Sequence, residues 1–160
     1  MIEVSAADQL DYYLTSLDEL GEILIDSDQS ESVGKGILRL TLGTIMASKG
    51  AIFLYNQSLN ELSFLACQGF KKGTPFSPPK DIISESEKHR HDQIKLDKIP
   101  TWITGELKKC ILESNSKILV PLYHKDHLLG LLCVGKKFMG ESYTDAEIKI
   151  LEIIANHLTK

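Results

Sequence analysis

Between Asp8 and Asp26 the apolar residues Leu10, Leu14, Leu17 and Leu24 recur at heptad-like spacing, with Gly21 in the remaining seam position. That period predicts an amphipathic helix within residues 1–27 whose stripe needs a partner. Asp28-Gln29-Ser30-Glu31 supplies a capping-box-like start for a second helix through Met46, with Val33, Ile37, Leu40 and Ile45 as buried candidates. Ser48-Lys49-Gly50 ends it, and the period then changes. Ala51 to Tyr55 is a β-rich run, Asn56 to Asn60 is turn chemistry, and Glu61 to Gln68 returns as a second strand, which predicts a hairpin. Ser116 to Tyr123 and Leu128 to Gly135 repeat the arrangement around His124-Lys125-Asp126-His127, predicting a second hairpin.

The runs Ala51 to Tyr55, Ile118 to Leu122 and Leu128 to Val134 lack polar alternation, as strands of a sheet covered on both faces do. Thr144-Asp145-Ala146-Glu147 is a capping box opening a last helix over 144–160. Ile148, Leu151, Ala155 and Leu158 form its stripe, and Ile150, Ile153 and Ile154 widen it beyond what one contact needs. One side is expected on the sheet and the other against a partner helix, for which the first helix is the candidate, within or between chains. A homodimer through the terminal helices is therefore expected. Between the hairpins, Lys71 to Cys110 is the least regular stretch and holds Pro75, Pro78, Pro79 and Pro100. Asp81 to His89 reads as a short helix, and Thr101 as the cap of another carrying Trp102, Ile103 and Leu107. Long connections of this kind often serve function, because a rigid sheet holds them over a pocket.

Composition narrows the class. The 160 residues, 42% of them hydrophobic, suit one ordinary domain over 1–160 that needs no disulfide or metal to be stable, and helices flanking two hairpins make its expected class α+β. With 18 basic against 22 acidic side chains the net charge is −4, which removes the global attraction on which a nucleic-acid partner relies. Three widely spread cysteines, Cys67, Cys110 and Cys133, fit neither a disulfide framework nor a zinc spacing and are expected as thiols in the cytoplasm. The start of the chain lacks a signal-peptide pattern and no apolar run is long enough to span a bilayer, so no direct membrane insertion is expected.

The chain shows no Gly-x-Ser-x-Gly elbow, P-loop or His-Glu-x-x-His pair. Gly34-Lys35-Gly36 falls inside a helix and reads as packing glycine, and Asp26-x-Asp28-x-Ser30 reads as a helix cap rather than a calcium loop, since Glu31 replaces the required glycine. His89-Arg90-His91 and His124-x-x-His127 lie in polar segments without the carboxylates or cysteines that would complete a metal site. Cys133, inside an apolar strand, and Cys67, at a strand end, read as packing residues. Cys110 follows Lys108 and Lys109 at a helix end, where the cations favour a thiolate and the helix C-terminus opposes it.

The order of elements resembles the GAF domain family over Leu17 to Leu158. The resemblance is carried by Gly50 to Asn56, by Glu61-Leu62 through Cys67-Gln68-Gly69, by Ile118 to Leu122 with Leu128 to Leu132, and by Tyr143-Thr144-Asp145 leading into Ile150 to Ala155. It implies a six-stranded antiparallel sheet, with N- and C-terminal helices on one face and the irregular middle segment roofing a small-molecule pocket on the other. It further implies a non-enzymatic sensory or dimerisation module of a bacterial signalling protein such as a two-component system, acting on an output domain outside this chain. By family position Ala51, Phe53, Leu65, Cys67, Ile83 and Trp102 would face the ligand, although all six also read as plain core. The ligand and any cofactor stay unnamed. Gly135-Lys136 followed by Tyr143 and Glu147-Ile148 departs from the Asn-Lys, Phe, Asp-Glu pattern of cyclic-nucleotide members, and the roof has no cysteine-histidine pair for a bilin. One enzymatic branch, the free methionine-R-sulfoxide reductases, is similar around Cys110, Ser114-Asn115-Ser116 and Val120-Pro121. Those enzymes draw further cysteines from the roof segment, and Lys71 to Lys109 contains none.

Overall fold

The structure, a computed structural model, describes residues 30–158 except 70, 91, 139 and 141. The expected first helix, and the cap expected at Asp28 for the second, lie outside the described residues. Helix α1 (Ser30–Ile45) leads to strands β1 (Gly50–Asn56) and β2 (Glu61–Gln68), then helix α2 (Ile82–Glu87) and the two-residue strand β3 (Ile94–Lys95). Helix α3 (Gly105–Ser114), strands β4 (Ile118–His124) and β5 (His127–Val134) and helix α4 (Asp145–Leu158) complete the order.

The strands form one antiparallel sheet in the order β2-β1-β5-β4-β3. Each hairpin closes locally, and β1 then pairs with β5, joining the first strand of one hairpin to the last of the other. The segment between β2 and β4 must therefore travel back across a face of the sheet. The described sheet has five strands, so the expectation of six is corrected. Beyond them only the single bridges Leu62–Phe76 and Ala47–Lys137 occur among the described residues. The prolines around Phe76 remove ladder donors, which keeps that edge pairing to one bridge.

Strand alternation sorts the apolar runs onto two cores. Ile52, Val120, Leu122, Leu132 and Val134 face α1 and α4, where Ile37, Leu38, Ile45, Leu151 and Ile154 bury them. Ala51, Phe53, Leu119, Leu131 and Cys133 face the returning segment, which contributes Ile82, Leu96, Ile103, Leu107 and Ile111. Uninterrupted apolar strands are thus a consequence of burial on both faces. Gly130 is required in β5 because any Cβ there would enter the backbone of β1 at Phe53.

The capping box of α4 is formed reciprocally. The Thr144 N–H donates to Glu147 Oε1 at 2.9 Å and the Glu147 N–H donates to Thr144 Oγ1 at 3.2 Å. Lys137 lies 2.8 Å from the same carboxylate, and the two side chains are only 11% and 16% exposed. Helix α3 starts at Gly105, later than the sequence suggests. Pro100 to Ile103 closes as a turn, with the Ile103 N–H on the Pro100 carbonyl at 3.1 Å, and the extended Thr104 precedes the helix.

Candidate functional site

Strand register aligns Cys67, Ala51, Cys133, Leu119 and Ile94 as one row across all five strands on the face opposite α1 and α4. Cysteine, alanine and cysteine are small, and Cys110 of α3 belongs to the cluster packed over this part of the row. Three thiols that are distant in sequence thus gather on one face. Burial raises the pKa of each. For Cys110 burial acts first, with Glu113 and Glu106 adding to it and Lys109 opposing, and the thiol is pushed up to about 11.

The string Ser114-Asn115-Ser116 stops α3 and fixes Cys110. Asn115 takes the left-handed conformation at φ 52°, and its N–H reaches the carbonyls of Ile111 and Leu112. Ser114 Oγ donates to the Cys110 carbonyl at 2.8 Å and shares a 2.6 Å hydrogen bond with Ser116 Oγ, all of it buried.

Cys110 also lines an open cleft of about 380 Å³ between α3 and the segment 71–76. Glu106, Lys109, Cys110 and Glu113 reach it from one helix face, at i, i+3, i+4 and i+7. The facing wall carries Lys71, Phe64 and Phe76. Phe76 is held by two backbone hydrogen bonds to Leu62, of 2.8 and 2.9 Å, and its ring centroid stands 5.9 Å from those of Phe53 and Phe64. Phe53 and Phe64 are 4.9 Å apart. The cleft therefore sets an aromatic wall against a helix face, with two ammonium groups balancing two carboxylates.

None of the six residues expected at the ligand lines this cleft. Ala51 and Phe53 are buried beneath the returning segment, and Cys67 and Trp102 are half-buried against the same cluster. Leu65 lies on the opposite face, against α1. A bulge pairs Ile52 with Ala66 but Phe53 with Phe64, so Leu65 is the extra residue, and Phe64 takes the orientation that simple alternation gives to Leu65. Ile83 is 45% exposed because α2 turns Ile82 and Ser86, one helical turn apart, into the core. Phe64, Phe76 and the polar stripe of α3 were not anticipated. The i, i+3, i+4, i+7 spacing was the available signal, obscured by starting the helix at Thr101. No group of three or more metal-ligating side chains occurs among the described residues.

No family model matches the chain, and no curated protein matches it in sequence. Solved structures do. A methyl-accepting chemotaxis protein fragment superposes with TM-score 0.64 at 16% identity, covering 89% of this chain and 92% of that one. Free methionine-R-sulfoxide reductase from Neisseria meningitidis, in complex with its substrate, gives 0.61 at 16% identity over 99% and 93% of the two chains. The GAF domain of an Acinetobacter phosphoenolpyruvate-protein phosphotransferase gives 0.60 at 11% identity over 93% and 91%. At such identities the likeness is one of architecture, and the chain has a GAF-like α+β fold.

Proposed function

We propose that the chain is a non-enzymatic sensory or regulatory module of a cytoplasmic signalling protein. A small molecule occupies the cleft beside Cys110, and its occupancy biases α3, the sheet and then α4, which leads to an output domain. Dimerisation runs through the terminal helices. The observation that carries this reading is the cleft itself. Its Phe64 and Phe76 wall faces Glu106, Lys109 and Glu113, with Lys71 opposite, which suits a small amphipathic zwitterion. The chemotaxis and phosphotransferase proteins of similar fold support a signalling role. Native mass spectrometry of the purified chain, followed by thermal shift against free amino acids, tests it. A bound or stabilising zwitterion whose effect is lost in Lys109→Gln supports the reading. A ligand-free monomer that no member of the panel stabilises refutes it.

The reductase reading has one specific observation in its favour, the exposure of Cys110 to the same cleft beneath Ser114-Asn115-Ser116. Against it stands the thiol held at about 11, whereas catalytic thiols are lowered to between about 3.5 and 7.5. Consumption of free methionine-R-sulfoxide with a thiol reductant, abolished by Cys110→Ser, would replace the sensory proposal.

A further inference from the structure

The antiparallel order brings the end of β3, the starts of β1 and β4 and the end of β5 to one edge of the sheet, and each of these ends carries lysine. The Gly135 N–H donates to the Lys49 carbonyl, the Lys117 N–H to the Val134 carbonyl and the Leu96 N–H to the Lys117 carbonyl, each at 2.8 Å. Lys49, Lys95, Lys117, Lys136 and Lys137 are thereby set along one rigid rim, although the chain as a whole carries a net charge of −4. Lys95, Lys117 and Lys136 line a cleft of about 450 Å³, and Lys49, Lys136 and Lys137 line an adjoining one of about 390 Å³, with Lys136 and Gly140 common to both. Neither shares a lining residue with the cleft at Cys110.

Among the described residues the charges are only partly cancelled locally. Asp97 and Asp145 are the carboxylates among the described lining residues of the two clefts. Lys137 is engaged by Glu147, whereas Lys95, Lys117 and Lys136 have no ion pair among the described residues. Gln93 lines the larger cleft, and its side-chain oxygen is buried without a hydrogen-bond partner. A buried acceptor of this kind costs free energy until a donor reaches it. The wall also includes Tyr143, Asp145 and Ile148, so an occupant would touch the first turn of α4.

We infer that this sheet edge is a second ligand site, separate from the Cys110 cleft, which binds a nucleotide-sized organic phosphate. The lysine ammoniums of Lys95, Lys117 and Lys136 take the phosphate charge as converging point charges. An N–H or O–H on the organic part meets Gln93. A docking face for a polyanion would be open and extended, whereas the lysines here line concave clefts of ligand size.

Thermal shift and isothermal titration of the whole chain with inorganic pyrophosphate and with ATP, at low and at moderate salt, test the site. Both should stabilise saturably, ATP binding more tightly because it also offers donors to Gln93, and affinity should fall as salt rises. Lys117→Gln with Lys136→Gln should weaken binding at least tenfold, while Lys108→Gln on α3, which lines neither cleft, should leave it unchanged. Asp97→Asn should tighten binding several-fold, an outcome that loss of folding cannot imitate. Absence of saturable binding, equal binding by the double variant, no gain in Asp97→Asn, or displacement of ATP by an oligonucleotide of higher affinity would each overturn the inference.

Discussion

Alanine placed at Gly34 or at Gly36 of α1 should act in opposite directions, although the two positions are two residues apart in one helix. Gly36 is exposed, and a Cβ there meets nothing within 4 Å. Gly36→Ala therefore gains helix propensity alone, about 0.8–1 kcal/mol. Gly34 faces the bulge residue Leu65, where a Cβ would come 2.6 Å from Cγ and 2.8 Å from Cδ2, far inside van der Waals contact. Leu65 is only 5% exposed and has little room to retreat. Overpacking of this kind costs about 1–3 kcal/mol, so after the propensity gain Gly34→Ala should come out destabilised by up to about 2 kcal/mol. In a Leu65→Ala background the obstruction is gone, and the same substitution should stabilise as Gly36→Ala does. The resulting coupling of about 2 kcal/mol is readable by urea unfolding of the four proteins at constant m-value. A stabilising Gly34→Ala in the wild-type background, with no coupling to Leu65, would show that Leu65 does not pack on α1. The bulge, and with it the orientation assigned to Phe64, would then be wrong.

Other outcomes follow from the same contacts. Burial alone would raise the Glu147 carboxyl, but hydrogen bonds from Lys137 and Thr144 outweigh it and hold the group below its ordinary value. A depressed carboxylate contributes stability that is full above the unfolded value of about 4.3 and is lost as pH falls through the folded value. Glu147→Gln should thus cost about 1–2 kcal/mol at pH 7 and show a shallower acid loss below pH 4.3, measured as urea midpoints against pH; identical acid profiles would contradict this. With its thiol at about 11, Cys110 should react with iodoacetamide at pH 7.5 far more slowly than a free cysteine in the same buffer, followed by mass spectrometry, and an equal rate would refute the burial argument. Phe53→Ala removes a side chain 1% exposed and the ring contact to Phe64 at 4.9 Å, so about 3–5 kcal/mol should be lost in urea unfolding; under 1 kcal/mol would mean that the face collapses freely.

Much of the architecture was legible because it is encoded locally. The two hairpins follow from β-rich runs flanking turn residues, and α4 from Thr144 and Glu147, whose reciprocal hydrogen bonds need only residues three apart. Two-sided burial was legible in the unbroken apolar strands. The candidate site was much less so. Ala51, Phe53, Cys67 and Trp102 sit on or against the roofed face, but Leu65 and Ile83 do not, since one bulge and one helix phase reversed them. Phase of this kind depends on packing against neighbours and leaves no mark in a single strand's pattern.

By itself, then, the sequence determined the two hairpins, α1, α4, the two-sided burial of the sheet and with them the class of fold, because period, caps and turn residues act over a few positions. Only the tertiary structure decided the five-strand order, the gathering of Cys67, Cys110 and Cys133 on one face, and the rim of Lys49, Lys95, Lys117 and Lys136 at one sheet edge. Those residues lie tens of positions apart. They meet only because pairing of β1 with β5 sends the chain back across the sheet, a choice set by the packing of both faces together.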